Sequence, residues 1–236
     1  MKVDSRRVFL IGPMLAQGPR AKARVRLAAA FRGLRPIPGY GSGDLIIAVD
    51  GGLDFCDHAG LPVSLALGDW DSLKKRTLLK SVHHITLPRD KDRSDLCFAL
   101  EAAIGTGVRR IYLGGFSGGR LDHELANCLD MLSVASSASS MHSEIVMCSE
   151  SYECAVVTSR RRFAFRQGQV VSIFALAGPA EGVRLKGFRY PLRSGVMEPS
   201  SQGLSNVVET RSCEVSVQKG GLLVIAYRVP TRKSAL

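Results

Sequence analysis

The sequence predicts an α/β plus all-β fold. An N-terminal parallel-sheet α/β sandwich domain covers residues 1–150, and a small C-terminal β-sandwich domain covers residues 151–236. Three observations carry this. Runs such as Leu45-Ile46-Ile47-Ala48-Val49 are apolar at every position, as strands covered on both faces of a parallel sheet are. These runs alternate with segments of helical spacing, the pattern that builds a sheet between helices. After about Cys154 the alternation stops, and short β-like runs separated by Gly, Pro and Ser turns replace it.

Taken in order, Val8 to Ile11 is a first strand stopped by Gly12-Pro13, and Ala21 to Phe31 a helix rich in Ala, Arg and Leu. The second strand, Leu45 to Val49, ends at Asp50-Gly51-Gly52. A short helix then runs to Ala59, stopped by Gly60 and Pro62. Leu65-Ala66-Leu67 is a strand ending at Gly68, Lys74 to Lys80 suggests a helix, and His84 to Leu87 is a strand ending at Pro88. Leu96, Ala99, Leu100, Ala103 and Ile104 keep helical spacing, with Ser94 or Asp92 as the N-cap. Arg110 to Leu113 is a strand leading into a glycine loop, followed by a helix from about Leu121 through Leu132. Ser133 to Ser143 is a loop or helix end, and Ile145 to Met147 a strand. Beyond it, Val170 to Ala175, Val183 to Leu185, Glu214 to Val217 and Leu222 to Tyr227 are the β runs.

Composition narrows the class. The net charge of +11 suits an anionic partner or a basic solvated surface, and charge alone does not choose between them. Arg160-Arg161-Arg162 lacks interleaved aromatics, and no nucleic-acid motif accompanies it. The six cysteines form no C-x-x-C pair, which argues against zinc. Several lie among apolar residues, pointing to buried thiols in a reducing, cytoplasmic setting. Val8 to Ile11 is too short for a signal peptide core, and nothing approaches the ~20 apolar residues of a membrane span.

Four strand ends carry polar or glycine-rich signals: Asp50-Gly51-Gly52; Asp69-Trp70-Asp71-Ser72; Asp90-Lys91-Asp92-Arg93-Ser94-Asp95; and Gly114-Gly115 with Gly118-Gly119-Arg120-Leu121-Asp122. In a parallel sheet these turns share one edge, where ligands gather. Carboxylates crowded there repel unless a hard cation joins them, and Mg²⁺ held with substrate phosphates fits. The glycines let backbone N–H groups approach phosphate, and Arg120 offers a fixed cationic fork. The combination suggests phosphoryl or diphosphoryl transfer. Each motif alone is more often a turn or cap. Trp70 reads as packing, and His123 as structural rather than a ligand.

As an ordered set, these motifs resemble the thiamine pyrophosphokinase family. Gly187-Phe188-Arg189-Tyr190-Pro191-Leu192 and Gly203-Leu204-Ser205-Asn206 extend the resemblance through the second half. It implies a homodimer with thiamine bound where two subunits meet, and transfer of the β,γ-diphosphate of ATP to the thiamine hydroxyl. It assigns Mg²⁺ to Asp69, Asp71 and Asp95, and catalysis to Asp71, Asp92, Asp95, Arg120 and Asp122. ATP contacts fall on Asp50, Gly51, Asp69, Ser72, Ser94, Gly119 and Arg120, and thiamine contacts on Asp122, Ser205 and Asn206. Trp70 stands where Phe is usual and Ser94 where Thr is. Leu53-Asp54 replaces a frequent Ala-Asn, and Val207-Val208 a frequent Glu-Phe. Two other readings are a diphosphotransferase for another hydroxymethyl substrate such as a pterin, and a non-catalytic nucleotide- or nucleic-acid-binding module. The first shares the α/β half, and the second is disfavoured by the acidic strand ends.

Overall fold

Apolar runs without a polar face set the centre of the first half. The structure, a computed structural model, describes residues 7–16, 22–31, 43–137 and 143–228. Strands β1 (Arg7–Ile11), β2 (Leu45–Val49), β3 (Leu65–Gly68), β4 (His84–Thr86), β5 (Arg110–Gly114) and β6 (Glu144–Cys148) are all parallel. Their order is β6-β5-β1-β2-β3-β4. The chain therefore winds outward from β1 to β4, then returns to the other side of β1. The reversal falls between β1 and β5, the usual ligand position in an open sheet. β1 is buried at all five positions. Its one charged residue, Arg7, is neutralised by a two-pronged pair with Asp44, with Nε 3.0 Å from Oδ1 and Nη2 2.5 Å from Oδ2.

Helices α1 (Ala23–Ala30), α2 (Gly52–Ala59), α3 (Asp95–Gly105) and α4 (Leu121–Ser137) cover the sheet, with α1 packed on α2 and α3 on α4. Helix α3 buries Leu96, Ala99, Leu100, Ala103 and Ile104, the residues whose spacing predicted it. Ser94 is its N-cap and accepts a bond from the Cys97 N–H. The segment expected to be a helix near Lys74 is a short 3-10 turn, Arg76–Ser81, none of whose residues is buried. Without an apolar face to bury, an isolated turn gains little from extending into an α-helix. Helix α4 runs five residues past Leu132 into the serine-rich segment; residues 138–142, like Ala21, lie outside the described residues.

Met1–Glu150 and Ser151–Leu236 are two compact units. In the second, β7 (Tyr152–Val157), β8 (Arg160–Ala164), β9 (Val170–Phe174), β10 (Ala180–Lys186), β11 (Leu192–Met197), β12 (Asn206–Val207), β13 (Ser212–Ser216) and β14 (Leu222–Tyr227) form two antiparallel sheets. Their orders are β12-β9-β14-β7 and β11-β10-β13-β8. Val171, Ile173, Val183, Leu185, Val215 and Val224 belong to one core cluster, the interior of the expected sandwich. The sequence shows four of these strands. It leaves out β7 and the edge strands β8, β11 and β12; in β8 charge replaces apolar alternation. In β8, Arg160 and Arg162 reach Glu214, while the Arg161 guanidinium lies 5.1 Å from the Phe163 ring.

Candidate active site

The carboxyl ends of β1, β2, β3 and β5 and the segment after β4 surround a cavity of about 900 Å³. Asp50, the residue after β2, has a left-handed backbone (φ 47°). Its N–H donates to the Leu67 carbonyl at 2.9 Å, tying the end of β2 to that of β3. Gly68 makes the approach possible, since a Cβ there would stand 3.0 Å from the Asp50 Cα. Trp70, also left-handed (φ 64°), is buried, and its indole N–H donates to the Thr86 hydroxyl at 2.8 Å. With the indole turned into the protein, Asp69 and Asp71 on either side line the cavity.

Side chains hold this turn from beneath. Ser72 donates its hydroxyl and its N–H to Asp50 Oδ2, and its oxygen accepts the Gly51 N–H at 3.0 Å. Asp54 accepts the N–H groups of Lys74 (2.7 Å) and Lys75 (3.0 Å). That carboxylate fixes the far end of the turn, a task the sequence does not reveal. Ser72 is thus committed to both Asp50 and Gly51.

Ligand oxygens of Asp50, Asp69 and Asp71 lie within 4.8 Å of one another. Asp50 Oδ1 is buried without a hydrogen-bond partner, an orphaned acceptor of a kind native proteins rarely leave. Burial pushes the Asp50 carboxyl up to about 6 against the opposing pull of Ser72. Three converging oxygens, one of them orphaned, suit a hard divalent cation. Asp95, assigned to the metal by the resemblance, is placed differently. Its Oδ1 is 3.1 Å from the Lys91 ammonium, which also donates to Asp69 Oδ2 at 3.0 Å. Burial pushes Asp95 up, with Lys91 opposing. Asp69 is held below its ordinary range: burial would raise it, but bonds from Lys91 and the Asp71 N–H outweigh burial.

The glycine loop divides into two parts. A Cβ on Gly114 would strike the Phe31 ring at 2.5 Å and one on Gly115 the Gly12 carbonyl at 2.6 Å, so these two serve packing. A Cβ on Gly118 would meet nothing within 4 Å, and Gly118 and Gly119 line the cavity. Helix α4 steadies the loop: Asn127 donates to the Phe116 carbonyl at 2.7 Å, and Glu124 accepts the Gly118 N–H at 3.3 Å. Arg120 lines the cavity and pairs with Asp122 at 2.5 Å, both strongly exposed. This pairing holds the Asp122 carboxyl at about 2. Asp92 lines the cavity on an exposed turn. The Ser94 hydroxyl donates to Asp130 on α4 at 2.5 Å, so it is engaged in structure. Among the residues assigned to the first unit, Gly51 and Asp122 do not line the cavity, while Arg89, Lys91 and Arg93, to which the motifs give no role, do.

In the second unit Ser205 is exposed and left-handed (φ 56°). Asn206 is buried, and both ends of its amide bind backbone. Oδ1 accepts the N–H groups of Tyr190 (3.1 Å) and Val207 (2.9 Å), and Nδ2 donates to the Tyr190 carbonyl at 2.9 Å. Asn206 therefore fastens the Arg189-Tyr190-Pro191 segment beside Ser205. Tyr190 and Leu204 expose 65% and 59% of their surface there, a large apolar display for a loop.

Two family models match this chain. The thiamin pyrophosphokinase catalytic domain matches residues 41–143, and the thiamin pyrophosphokinase vitamin B1 binding domain matches residues 157–222. Together they span well over half of the sequence, in the expected order. The chain belongs to the thiamin pyrophosphokinase family. Solved members share its fold. The Bacillus subtilis thiamine pyrophosphokinase superposes with a TM-score of 0.73 at 20% identity, covering 96% of this chain and all of that one. The Geobacillus thermodenitrificans structure gives 0.72 at 24% identity, covering 98% and 100%. The yeast thiamin pyrophosphokinase gives 0.66 at 12%, covering 95% and 87%. No curated protein matches the sequence. Membership makes the chain a diphosphotransferase, and the cavity of the first unit lies within the segment matched by the family's catalytic domain, apart from Pro13 and Met14 after β1.

Proposed function

We propose that the chain transfers the β,γ-diphosphate of ATP to the hydroxyl of thiamine, with Mg²⁺ held by Asp50, Asp69 and Asp71. The observation that carries the metal assignment is the convergence of those three carboxylates around the unpartnered Asp50 Oδ1. An ion there would neutralise polyphosphate charge and orient it. The substrate hydroxyl attacks the β-phosphorus, the bond from that phosphorus to the bridging oxygen of the α-phosphate breaks, and AMP leaves with that oxygen. The chain's own part is positioning. The cations of Arg89 and Arg120 receive phosphate oxygens, and the Gly118-Gly119 turn lines the cavity beside Arg120. Asp92 and Asp95 line the same wall, and Asp122 sets the direction of the Arg120 fork. Exposed Tyr190 and Leu204 offer apolar contact to a flat aromatic substrate beside the Ser205 hydroxyl, with Asn206 keeping the segment in place.

The reading extends to a cytoplasmic homodimer with thiamine bound where two subunits meet. Leu121, Leu125 and Leu129 support the dimer: they recur every four residues on α4 and are 81%, 48% and 39% exposed, an apolar stripe that a second copy would cover. All six cysteines are buried, in keeping with thiols of a reducing compartment. Among the described residues no helix is long and apolar enough to cross a membrane.

The test is product identity. Protein incubated with thiamine, ATP and Mg²⁺ should release AMP and thiamine diphosphate in equal amounts, followed by ³¹P NMR. ADP as the nucleotide product overturns the mechanism. Faster turnover with a hydroxymethyl pterin or pyrimidine overturns the substrate.

A further inference from the structure

Lys91 sits where two tasks meet. Its ammonium donates to Asp69 Oδ2 at 3.0 Å and to the Pro88 carbonyl at 2.9 Å, and stands 3.1 Å from Asp95 Oδ1. The side chains of Lys91, Asp69 and Asp95 are only 12%, 13% and 18% exposed. Asp69 is shared: one oxygen takes Lys91, while the same carboxylate belongs to the Asp50–Asp69–Asp71 group. A divalent ion in that group would lie within a few ångströms of a positive charge held in place by Asp69, Asp95 and the Pro88 carbonyl. Two opposing effects follow. Removing the ammonium lets Asp69 swing, at an ordering cost worth about tenfold in affinity or less. It also removes a repulsion which, at such separation and partial burial, is worth much more than tenfold. Repulsion is the larger effect. A polyphosphate reverses the balance, because its charge attracts Lys91 and the metal together.

We propose that Lys91 makes cation binding at Asp50, Asp69 and Asp71 conditional on the nucleotide: it disfavours a free divalent ion and admits one that arrives with a triphosphate. Lys91 is a positioning and charge-setting residue here, and the inference rests on the metal assignment above.

Mn²⁺ titration followed by electron paramagnetic resonance tests it, on the full chain, with and without α,β-methylene-ATP. Lys91→Met and Lys91→Gln should each bind free Mn²⁺ at least about tenfold more tightly than the native protein. Both should bind the Mn²⁺–nucleotide complex more weakly than native. Lys91→Arg, which keeps the charge, should stay near native in both titrations. Lys91→Gln retains a donor for Asp69 without charge, so it separates charge from tethering and carries the test alone if Lys91→Met does not fold. Equal or weaker free Mn²⁺ binding in the neutral variants overturns the proposal, as does native behaviour of Lys91→Gln. Failure of the native protein to form AMP with thiamine overturns the proposed function instead, and the Mn²⁺ titrations still decide the role of Lys91.

Discussion

Asp50, Trp70 and Ser205 are non-glycine residues held in the left-handed region among the described residues. Such a backbone costs about 1–2 kcal/mol each, and all three fall in motifs proposed to bind substrate or metal. At Trp70 the compensation is visible, in the buried ring and its bond to Thr86. Trp70→Phe should lose about 1 kcal/mol in denaturant unfolding, and Thr86→Val a similar amount. Because the two share one bond, the double variant should lose less than the sum; full additivity would show that the indole bond contributes nothing. Asp71→Asn, by contrast, should unfold like the native protein yet lose most AMP formation, since a metal-bound charge contributes on the order of several kcal/mol to the transition state. Retained activity would remove Asp71 from the metal site.

Asp50 gives a pH dependence. Its folded-state value is raised to about 6 from 3.8. The folded protein therefore holds a proton that the unfolded chain has released between those values. Stability falls as pH rises through that window and levels off above it, by about 2–3 kcal/mol if the shift is fully expressed. Melting in chelator between pH 4 and pH 7 should show the fall, and Asp50→Asn should lack it. An equal slope in that variant would place the effect elsewhere. Asp50 was legible in the sequence as the polar end of an apolar strand. Asp54, Asn127 and Asp130 were not, because each reaches from a helix to a segment that only the fold brings near, and Lys91 was not, because the pairing of β3 with β4 brings Asp69 to it. Asn206 was visible, but its commitment to the Tyr190 backbone depends on a pairing sixteen residues away.

At the scale of elements, the junction of β1 and α2 is the tightest glycine contact of the first unit among the described residues. A Cβ on Gly52 would stand 1.9 Å from the Ile11 carbonyl. Gly52→Ala should therefore displace α2 and lower the melting temperature by well over the few degrees of a typical surface change. A native-like melt would mean that α2 can slide without cost. The Asp-Gly-Gly sequence reads locally as a turn; the need for its last glycine arises from a strand forty residues earlier. Parallel strands with both faces covered announce themselves through continuous apolar runs, as β1 and β2 do. Edge strands do not, and the arginines of β8 read as a charge run until Glu214 on β13 is seen beside them.

At the scale of the whole molecule, the order β6-β5-β1-β2-β3-β4 has a consequence for synthesis. Strand β1 is made before its neighbours β2 and β5 yet lies between them, with Arg7 in register with Arg110. Until β5 is made, one edge of Val8-Phe9-Leu10-Ile11 has no partner, and an open apolar edge invites pairing with other chains. A fragment ending at Gly105 should thus remain aggregation-prone and show no cooperative melt, whereas one ending at Glu150 should fold. That edge stays open until Arg110 to Gly114 has emerged to pair with it, so the sheet cannot close before its fifth strand is made.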